Sequence, residues 1–186
     1  MPKIVDRDRY RKELLSQCLG LFAEQGYGST TMRQIAQGLG VSTGTLYHYF
    51  PSKERILEQL VEELCEQGIA DFFAQAPVAE AMGDRLRVVI TFFVEHFRFY
   101  QQQLLLWIDF HQHQQRKGIE QGVLQGVWRR THAQMVTYLQ MPSAQVDFIL
   151  VFMDGLMLQC LYDHGEGEAD WVAQQTELLI GLLDRS

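Results

Sequence analysis

The sequence has little of what disulfide frameworks, metal knuckles and secreted chains require. Its three cysteines, Cys18, Cys65 and Cys160, are odd in number, far apart and in no CxxC spacing, which disfavours a disulfide framework or a zinc knuckle. The N-terminal stretch MPKIVDRDRYRK has no apolar segment of the kind found in signal peptides, so we expect no secretion. These absences favour a protein of the reducing cytoplasm.

Catalytic and metal-binding signatures are also missing. The chain has no GxSxG elbow, phosphate-binding loop, HExxH pair or pair of carboxylates on a recognisable element, and this disfavours an enzyme. His111 and His113 lie two residues apart, so on a helix their side chains diverge by about 200° and do not share a metal. We therefore expect no cofactor and no metal site.

What is present is an apolar chain with an uneven charge. Hydrophobic residues make up 47% of it and charged residues 21%, so we expect it to fold throughout. Residues 1–55 carry eight Lys and Arg against five Asp and Glu, a balance of +3, whereas residues 56–186 carry eight against eighteen, a balance of −10. This asymmetry is expected when one end meets phosphate, although many enzymes reach it by chance. A basic cluster near the N-terminus, Arg7, Arg9, Arg11 and Lys12, is either a contact to DNA backbone or minor groove or a solvated terminus.

The region from Gly26 to Lys53 contains the signals of two short helices in close succession. Thr31 precedes Gln34 by three residues, the spacing of a capping box, and predicts a helix that begins at Met32. Gly40 supplies a left-handed residue to end that helix, and Ser42 caps a second one over residues 43–48. Two short helices joined by a tight turn predict a helix-turn-helix.

In a helix-turn-helix the second helix enters the major groove by its N-terminal end. Thr43, Gly44 and Thr45 are therefore expected at base edges, Leu46 and Phe50 in the core, and Tyr47 and His48 near phosphates. Lys53, in the first turn of a third helix, suits a phosphate oxygen. The candidate DNA-binding residues are Thr31, Arg33, Ser42, Thr43, Gly44, Thr45, Tyr47, His48 and Lys53.

These residues carry a resemblance to a known family. The pattern GY-x-x-TT followed by IA-x-x-LGVS-x-GTLY-x-YF-x-SKE resembles the DNA-binding segment of the TetR family of bacterial transcriptional repressors, and it covers residues 26–54. The resemblance implies a dimer formed through the last helices as a four-helix bundle. It also implies an effector pocket among the middle helices, with no motif there that assigns residues to it.

The rest of the chain predicts helices and no strands. A long helix runs from Lys53 towards Pro77, and five more are expected, with breaks at QQQ (101–103), QRKG (115–118), MPS (141–143) and HGEGE (164–168). We expect an all-α fold of about nine helices. Residues 1–54 would form a three-helix DNA-binding head, and residues 55–186 a helical bundle for effector binding and dimerisation.

The last two helices predict a homodimer. Between Val146 and Tyr162 thirteen of seventeen residues are apolar, more than a helix with one face in water carries, but the run is too short and too acidic for a membrane span. Burial within one chain is the alternative. The candidate interface residues are Phe148, Phe152, Leu156, Trp171, Leu178, Leu179 and Leu182.

A concentration of aromatic residues in the middle of the chain indicates either an ordinary core or a ligand cavity. The candidate ligand-binding residues are Leu64, Phe93, His96, Phe97, Trp107, Phe110, Trp128 and Met157. Asp109 and Asp154 lie in apolar surroundings, where they either face a pocket or pair within the core or interface.

The sequence thus predicts a dimeric, cytoplasmic transcriptional regulator that binds a palindromic site on double-stranded DNA. We expect a repressor, released from its operator by a small lipophilic effector, with no membrane association. The alternatives are a DNA-bound redox or metal sensor that uses Cys or His, and a helical enzyme.

Overall fold

A computed structural model describes residues 6–118, 122–163 and 168–183. These residues form nine helices and no strand, which confirms the predicted all-α class. The helices are α1 (Arg7–Gln25), α2 (Met32–Gly38), α3 (Thr43–Tyr49), α4 (Lys53–Gln75), α5 (Met82–Glu95), α6 (Phe97–Lys117), α7 (Val123–Leu139), α8 (Ser143–Asp163) and α9 (Glu168–Leu183).

The two helices of the helix-turn-helix begin where their caps predict. The N–H of Gln34 donates to Thr31 Oγ1 at 3.3 Å, and the N–H of Thr31 donates to Gln34 Oε1 at 2.9 Å, so the capping box is complete. The N–H of Thr45 donates to Ser42 Oγ at 2.9 Å. Gly40 has φ +67°, the left-handed conformation that the turn between the helices requires.

The chain divides into two compact units. The first, called unit 1, comprises residues 1–66 and 105–127, and the second, unit 2, comprises residues 67–104 and 128–186. Helices α4, α6 and α7 each contribute residues to both. The predicted division of function between residues 54 and 55 is a different one, and it stays a prediction.

Unit 1 is built on a fully buried apolar core. Its largest fully buried side chains are Leu15, Phe22, Tyr27, Ile35, Leu46, Phe50, Ile56, Leu57, Leu60 and Phe110. Gly38 permits the close packing of α2 on α1, because a Cβ at this position would lie 2.5 Å from Leu21 Cδ2. A larger residue at 38 would therefore require the Leu21 side chain to move or α2 to shift away from α1.

Unit 2 has its own core, in which α5 packs on α9. It includes Leu86, Ile90, Val146, Ile149, Met153, Val172 and Ile180. Helix α8 is long and apolar enough to cross a membrane, with a mean hydropathy of 1.5 over Ser143–Tyr162. One side of α8 packs in this core, and a third of that apolar window is buried there, as one helix of a folded core also shows.

One predicted helix boundary is wrong. The break expected at residues 101–103 lies instead at His96, whose N–H donates to the carbonyls of Phe92 and Phe93 as α5 ends. Gln101 and Gln103 are buried within α6, and Gln101 Nε2 donates to the carbonyl of Met157 at 2.8 Å. Gln101 and Gln103 are therefore packed helical residues. The carbonyl of Met157 satisfies the amide of Gln101, whereas Gln103 Nε2 is buried with no acceptor among the described residues.

Candidate nucleic-acid interface

Helix α3 has one face in the core and one in solvent. Leu46 and the C-cap residue Phe50 are 0% exposed, which confirms that they point inward. On the outer face Gly44, Tyr47 and His48 are exposed, and Thr43 and Thr45 are half-buried. The Tyr47 side chain is 52% exposed, so its hydroxyl is free to reach a phosphate. The outer face offers small residues at the N-terminal end and larger polar ones behind them, as a groove-binding helix requires.

The hydroxyl groups at the start of α3 are held in place. Ser42 Oγ lies 2.8 Å from Thr45 Oγ1 and also accepts the N–H of Thr45. Ser42 therefore acts as a helix cap, and it fixes the direction of the Thr45 side chain. A threonine with a fixed hydroxyl and a free methyl suits contact with a base edge.

Helix α2 places two further candidates near its N-terminus. Thr31 Oγ1 accepts the N–H of Gln34 and lies 2.7 Å from Gln34 Oε1, so the hydroxyl already serves the capping box. Arg33, the second residue of α2, is exposed. A direct contact of either residue with DNA stays a prediction, and Arg33 is the one that carries a charge for it.

The basic cluster of α1 is largely paired within unit 1. Arg11 donates to Gln59 at 2.5 Å, and Lys12 forms an ion pair of 2.6 Å with Glu63. The guanidinium of Arg7 contacts His48 Nε2 on α3. Of these cations, Arg7 is therefore the one that lies beside the recognition surface, and it holds the His48 ring in position.

Lys53 is half-buried, and its ammonium is bound within unit 1. Its Nζ donates to the carbonyl oxygens of Tyr27 at 2.8 Å and Gly28 at 3.3 Å, and it lies 4.4 Å from the centroid of the Tyr27 ring. Burial lowers the pKa of the Lys53 ammonium below its ordinary value. The ammonium is thus bound by the turn between α1 and α2, a contact that is 26 residues away in sequence and that no local pattern reveals.

Asp109 on α6 binds the same turn. Its Oδ2 accepts the N–H of Tyr27 at 2.7 Å and the N–H of Gly28 at 3.2 Å. The pairing alternative for Asp109 is therefore confirmed, whereas Asp154 is exposed on α8. The sequence did contain a signal for Asp109, namely a carboxylate inside the apolar run LLLWIDF, but its partners could not be read from it.

Glu54 carries the strongest electrostatic perturbation among the carboxylates of unit 1. Burial alone would raise its pKa, but the hydrogen bond from Lys117 Nζ at 2.8 Å outweighs burial and lowers the pKa to about 2. His113 Nε2 lies 3.9 Å from the same carboxylate, and burial lowers the pKa of His113. Burial thus disfavours a charged His113, and the short ion pair of Glu54 is the one with Lys117.

The predicted ligand residues in unit 2 do not gather around one opening. Phe93, Phe97 and Met157 are buried in the core, where Phe93 and Phe97 pack edge to face at 5.4 Å. His96 stacks on Phe92 with ring centroids 4.2 Å apart. Trp128 is 52% exposed and stacks on the His132 ring at 5.0 Å. Their role in ligand binding stays a prediction.

Of the three predicted ligand residues in unit 1, one is a buried core residue and two are half-buried. Phe110 is buried and packs edge to face on Tyr27, with ring centroids 5.3 Å apart. Leu64 is half-buried. Trp107 is half-buried too, and its Nε1 is a buried donor for which the described residues offer no acceptor. An unpaired buried N–H is costly, so Trp107 is the member of this group that a ligand acceptor would suit.

A cleft of about 360 Å³ opens in unit 2 between the end of α4 and α5. Phe72 and Phe92 form its apolar base, with ring centroids 5.3 Å apart, and Arg87 and Glu95 supply charges at its wall. Val88 and Thr91 also line it. None of the eight predicted ligand residues does. The sequence does not predict this cleft, because its lining residues come mainly from two helices and no sequence pattern shows how those helices pack together.

The predicted interface residues fall into two groups. Leu156 and Leu179 are 4% and 2% exposed and belong to the core of unit 2, so they do not form a free surface. Phe148, Leu178 and Leu182 are 52%, 58% and 67% exposed, and Phe152 and Trp171 are half-buried. Val151, 69% exposed one turn along α8 from Phe148, was not predicted and joins the exposed apolar group.

The cysteines are poorly suited to sensing oxidants. All three are buried, and none of them forms a disulfide. Burial raises the pKa of the Cys18 thiol to about 12 and also raises the pKa of the Cys160 thiol. Since the thiolate is the reactive form, burial disfavours the redox alternative. In the described part of the chain no three His, Cys, Asp or Glu side chains come together as a metal site.

Three comparisons bear on this arrangement. The family model of the bacterial regulatory proteins of the tetR family matches residues 14–60. The HTH-type transcriptional regulator BetI of Brucella anthropi is 26% identical over 163 residues, 87% of this chain and 84% of that protein. The HTH-type transcriptional repressor KstR2 of Mycobacterium tuberculosis is 47% identical over 51 residues, 27% of this chain and 26% of that protein.

The fold has solved counterparts as well. The structure of Salmonella enterica GusR superimposes with a TM-score of 0.72 at 20% identity, over 97% of this chain and 96% of that one. This similarity covers 97% of the chain, far more than the residues 14–60 that the family model matches.

Proposed function

This chain belongs to the TetR family of bacterial transcriptional regulators and is a DNA-binding regulator, and from that premise we propose that it is a cytoplasmic, homodimeric repressor that a small lipophilic effector releases from a palindromic operator. The observation that carries the proposal is the outer face of α3. Its N-terminal end is narrow and capped, and Tyr47 and His48 stand exposed behind it. That shape matches a major groove flanked by phosphates.

The proposed dimer rests on the exposed apolar side chains of α8 and α9. Phe148, Val151, Leu178 and Leu182 are each more than half exposed in one chain. A group of large apolar side chains on neighbouring helices is unfavourable in water and typical of a surface that another molecule covers. A two-fold dimer would cover it and would present two copies of α3 to a palindrome.

The direct test is selection of binding sites from random double-stranded DNA by the purified protein. We expect a palindromic site whose two halves are spaced by about one helical turn or a multiple of it. Log K should fall linearly with log salt, because bound phosphates release counterions. Selection that enriches no sequence at low salt would rule out operator recognition.

Two substitutions on α3 separate the proposed contacts. Tyr47→Phe removes one exposed hydroxyl and should weaken binding to selected and unrelated sequences alike. Thr45→Ala keeps the helix but removes a methyl and a hydroxyl at its N-terminal end, and it should change base preference by about 1–3 kcal/mol at one position. Equal effects of both variants on all sequences would contradict the assignment of Thr45 to a base edge.

The effector site is proposed to be the cleft between α4 and α5. Phe72, Val88 and Phe92 offer apolar contact, and the neighbouring charges of Arg87 and Glu95 suit a ligand with one small polar end. A hundredfold loss of operator affinity on binding requires about 2.7 kcal/mol of coupling between the two sites. By reciprocity, operator DNA must weaken effector binding by the same factor.

A matched pair of variants tests the cleft once a thermal-shift screen of lipophilic amines, alcohols and acids has found a stabilising compound. Thr91→Trp should fill the cleft and abolish the shift, with operator binding retained. Trp107→Phe, outside the cleft, should leave the shift unchanged. The reverse result would place the effector at the unpaired indole N–H of Trp107.

A further inference from the structure

The turn between α1 and α2, residues 26–28, is bound by side chains from two other helices. Gly26 has φ +76°, which reverses the chain at the end of α1. The Tyr27 side chain then enters the core with 0% exposure, and it packs edge to face on Phe22 at 5.4 Å and on Phe110 at 5.3 Å. The turn is thus anchored by one aromatic ring, and its main chain lies at the edge of the core.

Both kinds of main-chain polar group in this turn meet a charge of the opposite sign. The N–H groups of Tyr27 and Gly28 donate to one carboxylate oxygen of Asp109 on α6, at 2.7 and 3.2 Å. The carbonyls of the same two residues accept from the ammonium of Lys53 on α4, at 2.8 and 3.3 Å. Hydrogen bonds to charged groups are roughly twice as strong as neutral ones. We call Asp109 and Lys53 the turn clamp.

The clamped turn continues directly into the helix-turn-helix. The carbonyl of Tyr27 also accepts the N–H of Thr30 at 3.3 Å, and Thr30 Oγ1 donates to the carbonyl of Gly26 at 2.6 Å. The next residue, Thr31, is the N-cap of α2. Helix α2 in turn packs on α3. The position of the turn therefore sets the direction in which α2 leaves α1, and through α2 the position of α3.

We propose that Asp109 and Lys53 are positioning residues for α3, and that Lys53 acts through the turn between α1 and α2 instead of neutralising an operator phosphate. This inference rests on the proposed DNA-binding function. The ammonium of Lys53 already donates to two carbonyl oxygens and lies over the Tyr27 ring, so at most one N–H remains for a phosphate and these contacts hold the ammonium at the turn. The lowered pKa of Lys53 agrees with a cation withdrawn from water.

The salt dependence of operator binding separates a positioning cation from a phosphate ligand. A cation that neutralises a phosphate contributes about 0.9 to the slope of log K against log salt, so its loss from both subunits of a dimer reduces the slope by about 1.8. A positioning residue changes affinity by the same factor at every salt concentration. Lys53→Met keeps the aliphatic stem over Tyr27 and removes the charge, which makes it the informative variant.

Operator affinity is measured by fluorescence anisotropy between low and physiological salt for the wild type, Lys53→Met, Asp109→Asn and, for comparison, Arg33→Met. We expect Lys53→Met and Asp109→Asn to lose about tenfold or more in affinity with the wild-type slope, since about 1.4 kcal/mol is tenfold. Arg33→Met, which removes an exposed cation, shows how far the slope falls when a phosphate contact is lost. A reduced slope for Lys53→Met would overturn the proposal.

Two further readouts do not depend on which DNA the protein selects. Amide hydrogen exchange of α2 and α3 should be faster by about tenfold in Asp109→Asn than in the wild type, while α8 and α9 are unchanged. The effects of Lys53→Met and Asp109→Asn on this exchange should be less than additive, because both side chains hold one turn. Unchanged protection of α2 and α3 in the folded variants would overturn the clamp even if the wild type binds its operator. Failure of the wild type to select DNA, with exchange altered as expected, would refute the proposed function and leave the clamp supported.

Discussion

Two leucines near the end of α9, three residues apart, lie in opposite environments and so allow a sharp test of the proposed dimer. Leu182 is 67% exposed, whereas Leu179, three residues before it, is 2% exposed within the core of unit 2. The same substitution, Leu to Glu, therefore probes the subunit interface at one position and the fold of the chain at the other.

The magnitude follows from the surface that dimerisation would cover. Complete burial of a leucine contributes about 1.5–3 kcal/mol, so a side chain that is two-thirds exposed in the monomer has about 1–2 kcal/mol left to gain. Leu182→Glu loses this in both subunits and also brings two carboxylates to an apolar contact. We expect a total cost of about 4–6 kcal/mol per dimer, or roughly 10³- to 10⁴-fold in the dimer Kd.

Sedimentation equilibrium gives the dimer Kd, and circular dichroism with thermal melting reports whether the chain is folded. Leu182→Glu should sediment as a monomer at micromolar concentration, keep its helical content and lose operator binding. Leu179→Glu should lose cooperative unfolding, because it buries an unpaired charge in the core. A Leu182→Glu protein that remains a dimer with unchanged Kd would refute the placement of the interface on this face.

Three further predictions concern unit 1. Gly38→Ala should destabilise the head by about 1–3 kcal/mol in chemical denaturation, because its Cβ would meet Leu21 at 2.5 Å, and an unchanged midpoint would show that the Leu21 side chain moves aside at no cost. The pKa of Glu54 is lowered from 4.5 to about 2, so its ion pair with Lys117 stabilises the fold above pH 4.5 and is lost as the pH falls towards 2. That contribution is about 1–3 kcal/mol, and Glu54→Gln should flatten this part of the stability profile. Cys18, with a pKa of about 12, should resist thiol reagents until the protein unfolds, and rapid labelling of native protein would contradict its burial.

The start and end of each helix in the DNA-binding segment could be predicted because the signals for them are local. The Thr31 and Gln34 side chains cap main-chain groups within three residues, and Ser42 does the same for Thr45. The left-handed Gly40 follows from the absence of a side chain at that residue alone. Helical spacing likewise predicted the buried side of α3, because residues on one face of a helix share one environment.

The residues whose burial was wrongly predicted have tertiary partners that the sequence does not show. The glutamines at 101 and 103 look solvated in sequence but are buried in α6, where the carbonyl of Met157 on α8 accepts from Gln101. Leu156 on α8 and Leu178 on α9 both belong to helices that carry apolar residues on more than one face. Leu156 is 4% exposed, however, and Leu178 is 58% exposed. Periodicity alone does not tell which of two apolar faces the chain itself covers.

By itself, therefore, the sequence determined the class of fold, the family and the outline of the DNA-binding segment, since each depends on caps, turns and spacing within a few residues. Only the tertiary structure decided which partners the charged side chains bind and which apolar helix faces the chain buries. Lys53 lies in a first helical turn that suits a phosphate, but the carbonyls of Tyr27 and Gly28 hold its ammonium, and Asp109 reaches the same turn from 82 residues along the chain. The direction of a long side chain depends on the partners that packing brings within about 3 Å of its polar end. Those partners can lie far away in the sequence, so local patterns do not reveal them.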